Sequence, residues 1–195
     1  RAVDLIEQTR GEKVDVGKVP LDDPAIYELL SSGNVEGVFQ VESAGMRKVL
    51  TGLKPTTFED VSATIALYRP GPMQFIDSFI ARKHGKEPIE YRHPALEPIM
   101  RDTYGALIYQ EQVIQVMTDL AGYAAGDADL VRRAVSKKKE EELKKHRAGF
   151  VAGALKTCRI PPEIGDQIWS DVEYFANYGF NKAHSADYAL VTCQT

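Results

Sequence analysis

Helix start and stop signals recur at short intervals along this chain, and the apolar positions between them repeat at helical rather than strand spacing. Together these restrict it to a mainly α fold. Asp23-Pro24 supplies an N-cap and a proline at the first helical position, and Gly33 stops that segment. Ser43 caps a stretch with Met46, Val49, Leu50 and Leu53. Thr57, followed by Glu59 and Asp60, opens another in which Phe58, Val61, Ile65 and Ala66 fall at helical spacing. Arg69-Pro70-Gly71-Pro72 ends it. Two prolines around a glycine either present Tyr68 and Arg69 from a stiff corner or form an ordinary interhelix turn, and at this point both readings stand. Further helices are expected over Met73 to Lys83, from His93-Pro94 to near Thr103, and from Gln110 through Leu120. Leu143, Phe150, Val151, Ala154, Leu155 and Cys158 trace the buried stripe of a long helix. Ile164, Ile168, Trp169, Val172 and Phe175 trace that of the next, with Trp169 expected in the core. Short extended pieces are expected at Gly37-Val38-Phe39-Gln40-Val41 and Ile89-Glu90-Tyr91, too few for a large sheet. The expected fold is mainly α, a multi-helix domain with a few short β-strands. Residues 1–20 read as a connector with one short helix.

With 195 residues, 44% hydrophobic and 27% charged, the chain suits one globular domain or a domain with an appended segment. A net charge of -4 excludes a protein that coats nucleic acid by bulk charge, so any contact with phosphate must come from a local patch. One such patch exists: from Leu130 to Arg147 eight Lys or Arg face three Glu. A solvated helix face is the usual fate of such a run. Here, however, Arg132 and Arg133 precede the lysines by about one turn and stack cations on one side of a helix, an arrangement that attracts an anion. Asp127 is placed to cap this helix, and Asp129 stands three and four residues before the two arginines, where it can pair with either. Cys158 and Cys193 have no CxxC partner, which indicates neither a zinc site nor a disulfide framework and fits a reducing cytoplasm. The sequence has no signal peptide and no apolar run long enough to cross a bilayer. It begins with Arg1 and stops within an apolar, helix-like run, as expected of a piece of a longer chain.

Two-metal phosphoryl transfer needs converging carboxylates. The nearest pairs, Asp22-Asp23 and Asp127-x-Asp129, sit at helix starts, where capping is their expected role. No GxxxxGK[ST] loop, GxSxG elbow or HExxH pair is present, and His84, His93, His146 and His184 lack metal-ligand spacing. No catalytic residue and no metal ligand is therefore assigned. At Tyr178-Gly179-Phe180-Asn181-Lys182 the helical pattern breaks before a last helix, and a lysine there joins free backbone N–H groups and the positive helix end in a setting that suits phosphate. The chain carries cations fit to bind a polyphosphate and no visible means to cleave one, which points to half of an active site.

Five motifs occur in order: Gly37-Val38-Phe39-Gln40-Val41-Glu42-Ser43-x-Gly45-Met46-Arg47; Ala66-Leu67-Tyr68-Arg69-Pro70-Gly71-Pro72-Met73; Thr103-Tyr104-Gly105 with Tyr109-Gln110-Glu111-Gln112-Val113; Ala128-Asp129-Leu130-x-Arg132-Arg133-Ala134; and Tyr178-Gly179-Phe180-Asn181-Lys182-x-His184-Ser185. In these, over nearly all of residues 20–195, the chain resembles the family C replicative DNA polymerases of bacteria, the DNA polymerase III alpha family, specifically the fingers region. The resemblance implies a bacterial, cytoplasmic replication enzyme, a DNA-directed DNA polymerase (a nucleotidyltransferase), with residues 1–20 connecting from the palm and 21–195 forming a fingers domain truncated at its C-terminal end. It implies a domain that closes over an incoming dNTP, with metal-binding aspartates in a palm outside this segment. The fragment itself would then bind no cofactor, Mg2+ would act through the palm of the full-length enzyme, and the isolated fragment would be inactive. The implied partners are dNTP, primer-template DNA, the palm and thumb of the same chain, and, through other regions, the sliding clamp and further holoenzyme subunits.

On the matching positions, the resemblance implies that Arg132 and Arg133 sit near the triphosphate, helped by Lys137 and Lys182 at the Asn181-Lys182 helix start. Tyr178 and His184 would line the nascent base-pair pocket, and Arg69 would stiffen or extend it. Competing readings are an Asp129 salt bridge for Arg133, core packing beside Phe175 for Tyr178, and solvation for Lys138, Lys139, Lys144 and Lys145, with template backbone contact second. The sequence departs from the family pattern at Ser136, where glycine is usual, and at Asp187, where a small residue is usual. The first weakens the assignment of Lys137, and the second puts a negative charge within a turn of His184. A reading from another class is a non-enzymatic helical adaptor that docks an acidic partner through the basic helix. It would call for an exposed apolar stripe beside the lysines.

Overall fold

The computed structural model describes residues 1–136, 140–175 and 178–195, and among these the regular structure is helical. The helices are α1 (Ala2–Arg10), α2 (Pro24–Ser32), α3 (Ala44–Leu53), α4 (Phe58–Leu67), α5 (Ile76–Lys83), α6 (Glu97–Met100), α7 (Gln110–Gln115), α8 (Ala125–Ser136), α9 (Glu140–Cys158), α10 (Pro162–Phe175) and α11 (Lys182–Gln194). A π-turn, Val116–Leu120, continues α7, and short 3-10 turns precede α5 and flank α6.

The expected caps form. The Asp23 carboxylate accepts from the Ala25 amide ahead of α2, with Pro24 in the first turn and Gly33 left-handed at its end. Ser43 accepts from the Met46 amide at the start of α3. Thr57 and Asp60 make a reciprocal capping box at the start of α4, satisfying amides that the helix itself cannot. Asp127 differs from expectation: α8 begins two residues earlier, so this carboxylate lies in the first turn, where it still favours the positive helix end.

The expected β-strands are absent among the described residues. Gly37–Val41 folds instead into successive turns, with the Val38 amide on the Val35 carbonyl and the Val41 amide on that of Val38. Their three-residue spacing brings Val35, Val38 and Val41 into the core together, which an alternating strand would not do. Ile89–Tyr91 joins no sheet. Among the described residues the one ladder contact is an isolated parallel bridge between Tyr109 and Phe180.

Among the described residues, three hydrophobic clusters make up the interior. The largest gathers α6 to α10 around Phe150 and Trp169, whose rings lie 5.7 Å apart, so Trp169 is a core residue. A second joins α2, α3, α4 and α11, and a third joins α4 to α5 and the 108–109 segment. Helix α4 contributes to two of them: every residue from Asp60 to Leu67 is buried, the mark of an interior helix. It packs along α11 and leads directly into the Arg69-Pro70-Gly71-Pro72 corner.

Candidate functional site

Arg69 leaves the end of α4 and turns back on the protein. Its Nε donates to the Ala66 carbonyl at 2.7 Å, its Nη2 donates to the Tyr178 carbonyl, and its guanidinium lies 4.7 Å from the centre of the Phe180 ring. Burial pulls its pKa below the usual arginine value. The side chain thus ties the proline corner to the segment before α11, as a brace rather than as a free cation. Gly71 completes the junction, since the Tyr178 ring occupies the space where a Cβ on Gly71 would stand.

The Tyr178–His184 segment is held on its other side by 108–111. The Phe180 amide donates to the Ile108 carbonyl and the Gln110 amide to the Phe180 carbonyl, each at 2.9 Å. Gly179 permits this approach, because a Cβ there would meet the Gln110 backbone at 3.3 Å. Asn181 caps α11 by accepting from the His184 amide at 2.8 Å, and the Lys182 amide donates to Glu111 Oε2 at 2.9 Å. These two amides at the positive helix end therefore already have acceptors, one of them a carboxylate standing where an anion is favoured. The Lys182 ammonium lies 5.6 Å from the centre of the Tyr109 ring, and Lys182 is one of the residues that line a small cavity of about 50 Å³, together with Phe58, Glu59, Ser62, Tyr109 and Ala186. His184 stands between Phe180 and Tyr188, at ring separations of 5.6 and 4.4 Å. Tyr178 is half-buried and contacts the Tyr174 ring at 5.9 Å, so it is not a core residue beside Phe175.

On α8, Arg132 donates from Nε and Nη2 to Asp129 Oδ1 at 3.0 and 2.8 Å, and Arg133 Nε lies 2.8 Å from Oδ2 of the same carboxylate. The hydrogen bonds from Arg132, with the charge of both guanidiniums, outweigh a smaller opposing effect of burial and hold the Asp129 carboxyl below the usual aspartate range. The arginines differ in outlook: the Arg132 side chain is 19% exposed and that of Arg133 63%. Lys137, with Lys138 and Lys139, lies outside the described residues. Lys144 and Lys145 are exposed. Arg147 is not part of a solvated flank: it donates to both Asp166 oxygens at 2.5 Å and to Ser170 at 3.1 Å, pinning α9 to α10.

The structure thus brings Arg69, Tyr178, Asn181, Lys182 and His184 into one neighbourhood and gathers Arg132 and Arg133 around Asp129. Among the described residues, the hydrogen bonds of Arg132 stay within α8, while Lys182 meets Glu111, Tyr109 and Ser185.

The family profile described as bacterial DNA polymerase III alpha subunit finger domain matches residues 1–158. The chain belongs to this finger-domain family. It is 47% identical over 98% of its length to a DNA polymerase III subunit alpha of Thermus aquaticus, 48% over 100% to that of Caulobacter vibrioides, and 50% over 94% to that of Haemophilus influenzae. It spans 16 to 17% of the length of these relatives.

In this finger-domain sequence, no group of three or more His, Cys, Asp or Glu among the described residues is arranged to hold a metal ion. Nor is any helix among the described residues long and apolar enough to cross a membrane.

Sequence reasoning missed the groups that hold the site in place. The buried Asp60 carboxylate accepts from Lys83 Nζ at 2.6 Å, the Thr56 amide at 2.8 Å and Tyr104 Oη at 2.7 Å. Burial pushes this carboxyl up, but those bonds and the lysine charge overcome it and hold the pKa below the ordinary value. The Gln112 amide joins Ile108, Tyr109, Ile99 and Thr103, fixing the strip that receives Phe180. Only the local pairing of Thr57 with Asp60 had a sequence signal; the other partners are distant in the chain.

Proposed function

We propose that this chain acts within a bacterial replicative DNA polymerase as the finger domain that meets the incoming dNTP. In this reading Arg132 and Arg133, with Lys137 and Lys182, bind the triphosphate, while Tyr178, His184 and Asn181 border the nascent base pair. Arg69 stiffens that border. The observation that carries the reading is the braced turn before α11: Arg69, the 109–180 bridge and the Asn181 cap together fix one exposed lysine and one exposed histidine at a helix start. Preorganisation of this kind lowers the cost of meeting a ligand. Residues 1–20 connect to a palm whose carboxylates hold Mg2+, and palm, thumb, primer-template DNA, sliding clamp and other holoenzyme subunits are the remaining partners. The setting is the bacterial cytoplasm.

The chemistry asked of the domain is electrostatic. Cations placed around a triphosphate offset its charge and orient it, while the bond-making groups lie elsewhere. Asp129 sets the geometry of the α8 pair by fixing both guanidiniums from one side. Among the described residues of α8, Leu130 is the one exposed large hydrophobic side chain, whereas the adaptor reading calls for an apolar stripe.

The test is steady-state kinetics of the full-length polymerase carrying Arg132→Ala or Lys182→Ala. Each is expected to raise KM for dNTP or lower kcat. Unchanged kinetics in both variants refute the triphosphate assignment, and primer extension by the 195-residue fragment alone would refute the placement of the chemistry outside it.

A further inference from the structure

Three buried hydroxyls lie beneath Lys182 on three different elements. Ser62 is on α4, Tyr109 is at the start of α7, and Ser185 is in the first turn of α11; they are 3%, 3% and 0% exposed. Ser62 Oγ is 3.1 Å from Tyr109 Oη and 2.9 Å from Ser185 Oγ, and Ser185 Oγ donates to the Lys182 carbonyl at 3.1 Å. Each hydroxyl has a single hydrogen to give. With that of Ser185 directed to the Lys182 carbonyl, Ser62 must donate to Ser185 and Tyr109 to Ser62. One direction therefore satisfies all three: Tyr109 to Ser62 to Ser185 to the Lys182 carbonyl.

This chain of bonds grips Lys182 at both ends. Its last donor holds the lysine backbone, and its first member presents the aromatic face over which the ammonium lies, 5.6 Å from the ring centre. Ser62 is the link between them and sits on the interior helix whose far end carries Arg69. We propose that Ser62 is a positioning residue for nucleotide binding, acting through Ser185 and Tyr109 to fix where the Lys182 ammonium stands. The proposal rests on the assignment of Lys182 to the triphosphate and adds a residue that never touches the ligand. Fully satisfied buried polar networks rigidify what they join, and losing the middle member leaves the Tyr109 donor without an acceptor and Ser185 without the bond that orients it.

Two readouts on the full-length polymerase test it. The first is the rate at which the exposed Lys182 amine is acylated by an N-hydroxysuccinimide ester, followed by peptide mass spectrometry; it does not depend on polymerase activity. Ser62→Ala is expected to raise that rate by at least about twofold, the lower end of what loss of one buried hydrogen bond gives. Tyr109→Phe, which keeps the ring and removes only the first donor, is expected to raise it less. Thr192→Val should leave it unchanged, since that buried hydroxyl serves the Phe39 and Tyr188 carbonyls at the other end of α11. Acylation at the wild-type rate in both Ser62→Ala and Tyr109→Phe overturns the proposal.

The second readout is KM for dNTP. Ser62→Ala is expected to raise it roughly two- to tenfold, and to have no further effect in a Lys182→Ala background. Equal effects of Ser62→Ala in both backgrounds overturn the positioning role. Altered acylation together with an unchanged KM in Lys182→Ala refutes the assignment of that lysine to the nucleotide while leaving Ser62 as the residue that places it.

Discussion

Gly71 stands at φ 99° and ψ -77°, a region where side chains are strained, and a Cβ built on it would come within 2.6 Å of Tyr178 Cε1. The residue therefore does two things: it permits the turn between two prolines, and it leaves room for the ring that borders the proposed pocket. The two effects can be separated. Gly37 is also left-handed, at φ 79°, but a Cβ there would meet nothing within 4 Å. Gly37→Ala is expected to cost about 1 kcal/mol of stability from backbone strain alone. Gly71→Ala should cost more, roughly 1–3 kcal/mol, and should also raise KM for dNTP by displacing Tyr178; chemical denaturation and steady-state kinetics of both variants supply the comparison. A normal KM in a folded Gly71→Ala enzyme would remove Tyr178 from the pocket. The rigid corner was legible in the sequence as proline, glycine, proline. That Tyr178 packs on it was not, because the contact joins residues over a hundred positions apart.

At the scale of the element, α4 decides where the site stands. Its first turn is anchored by Asp60 to Lys83 and Tyr104, its middle holds Ser185 through Ser62, and its end delivers Arg69. Lys83 and Asp60 are 8% and 1% exposed, so removing the cation leaves a buried carboxylate without its charge partner. Lys83→Met is expected to destabilise the protein by about 3–5 kcal/mol near neutral pH.

The pH dependence follows from the sign of the shift. In the wild type the folded-state pKa of Asp60 lies below its unfolded value, so its contribution is present above the unfolded pKa and is lost as pH falls through the folded one. In Lys83→Met the largest opposing influence, burial, acts with less to counter it, and the carboxyl is easier to protonate when folded. The stability gap between the two proteins should therefore narrow as pH falls through the aspartate range, as urea titrations at successive pH values would show. A gap that stays constant would mean the pair is not what holds α4.

The sequence indicated α4 well because its cap and apolar spacing are local. It indicated the Gly37–Val41 segment poorly: the three-residue recurrence of Val35, Val38 and Val41 is present in the sequence and is incompatible with one strand face, but a brief apolar run after a glycine has the composition of a strand as well as that of successive turns. It also gave no sign of Asp60 as an anchor, since the same side chain served as a sufficient explanation of the cap.

Across the whole molecule, the cations assigned to the triphosphate hang from different parts of the interior. Arg132 rides on α8, whose Ala128, Val131 and Val135 belong to the cluster around Trp169, while Lys182 begins α11, whose Ala189 belongs to the cluster with α2, α3 and α4. Arg132 is bonded to Asp129; Lys182 contacts Glu111, Tyr109 and Ser185. With no shared partner among the described residues, substitutions at the two positions should act on stability independently, and the cost of Arg132→Ala combined with Lys182→Ala should equal the sum of the single costs to within about 0.5 kcal/mol. Catalysis should behave otherwise if both cations meet one triphosphate. Removing the first then changes where the ligand sits before the second is removed, so the losses in kcat/KM would depart from additivity by more than that margin. Denaturant titration and kinetics on the same four enzymes make the comparison. Additivity in both would assign the two cations to separate tasks, with Arg132 held for Asp129 rather than for the nucleotide.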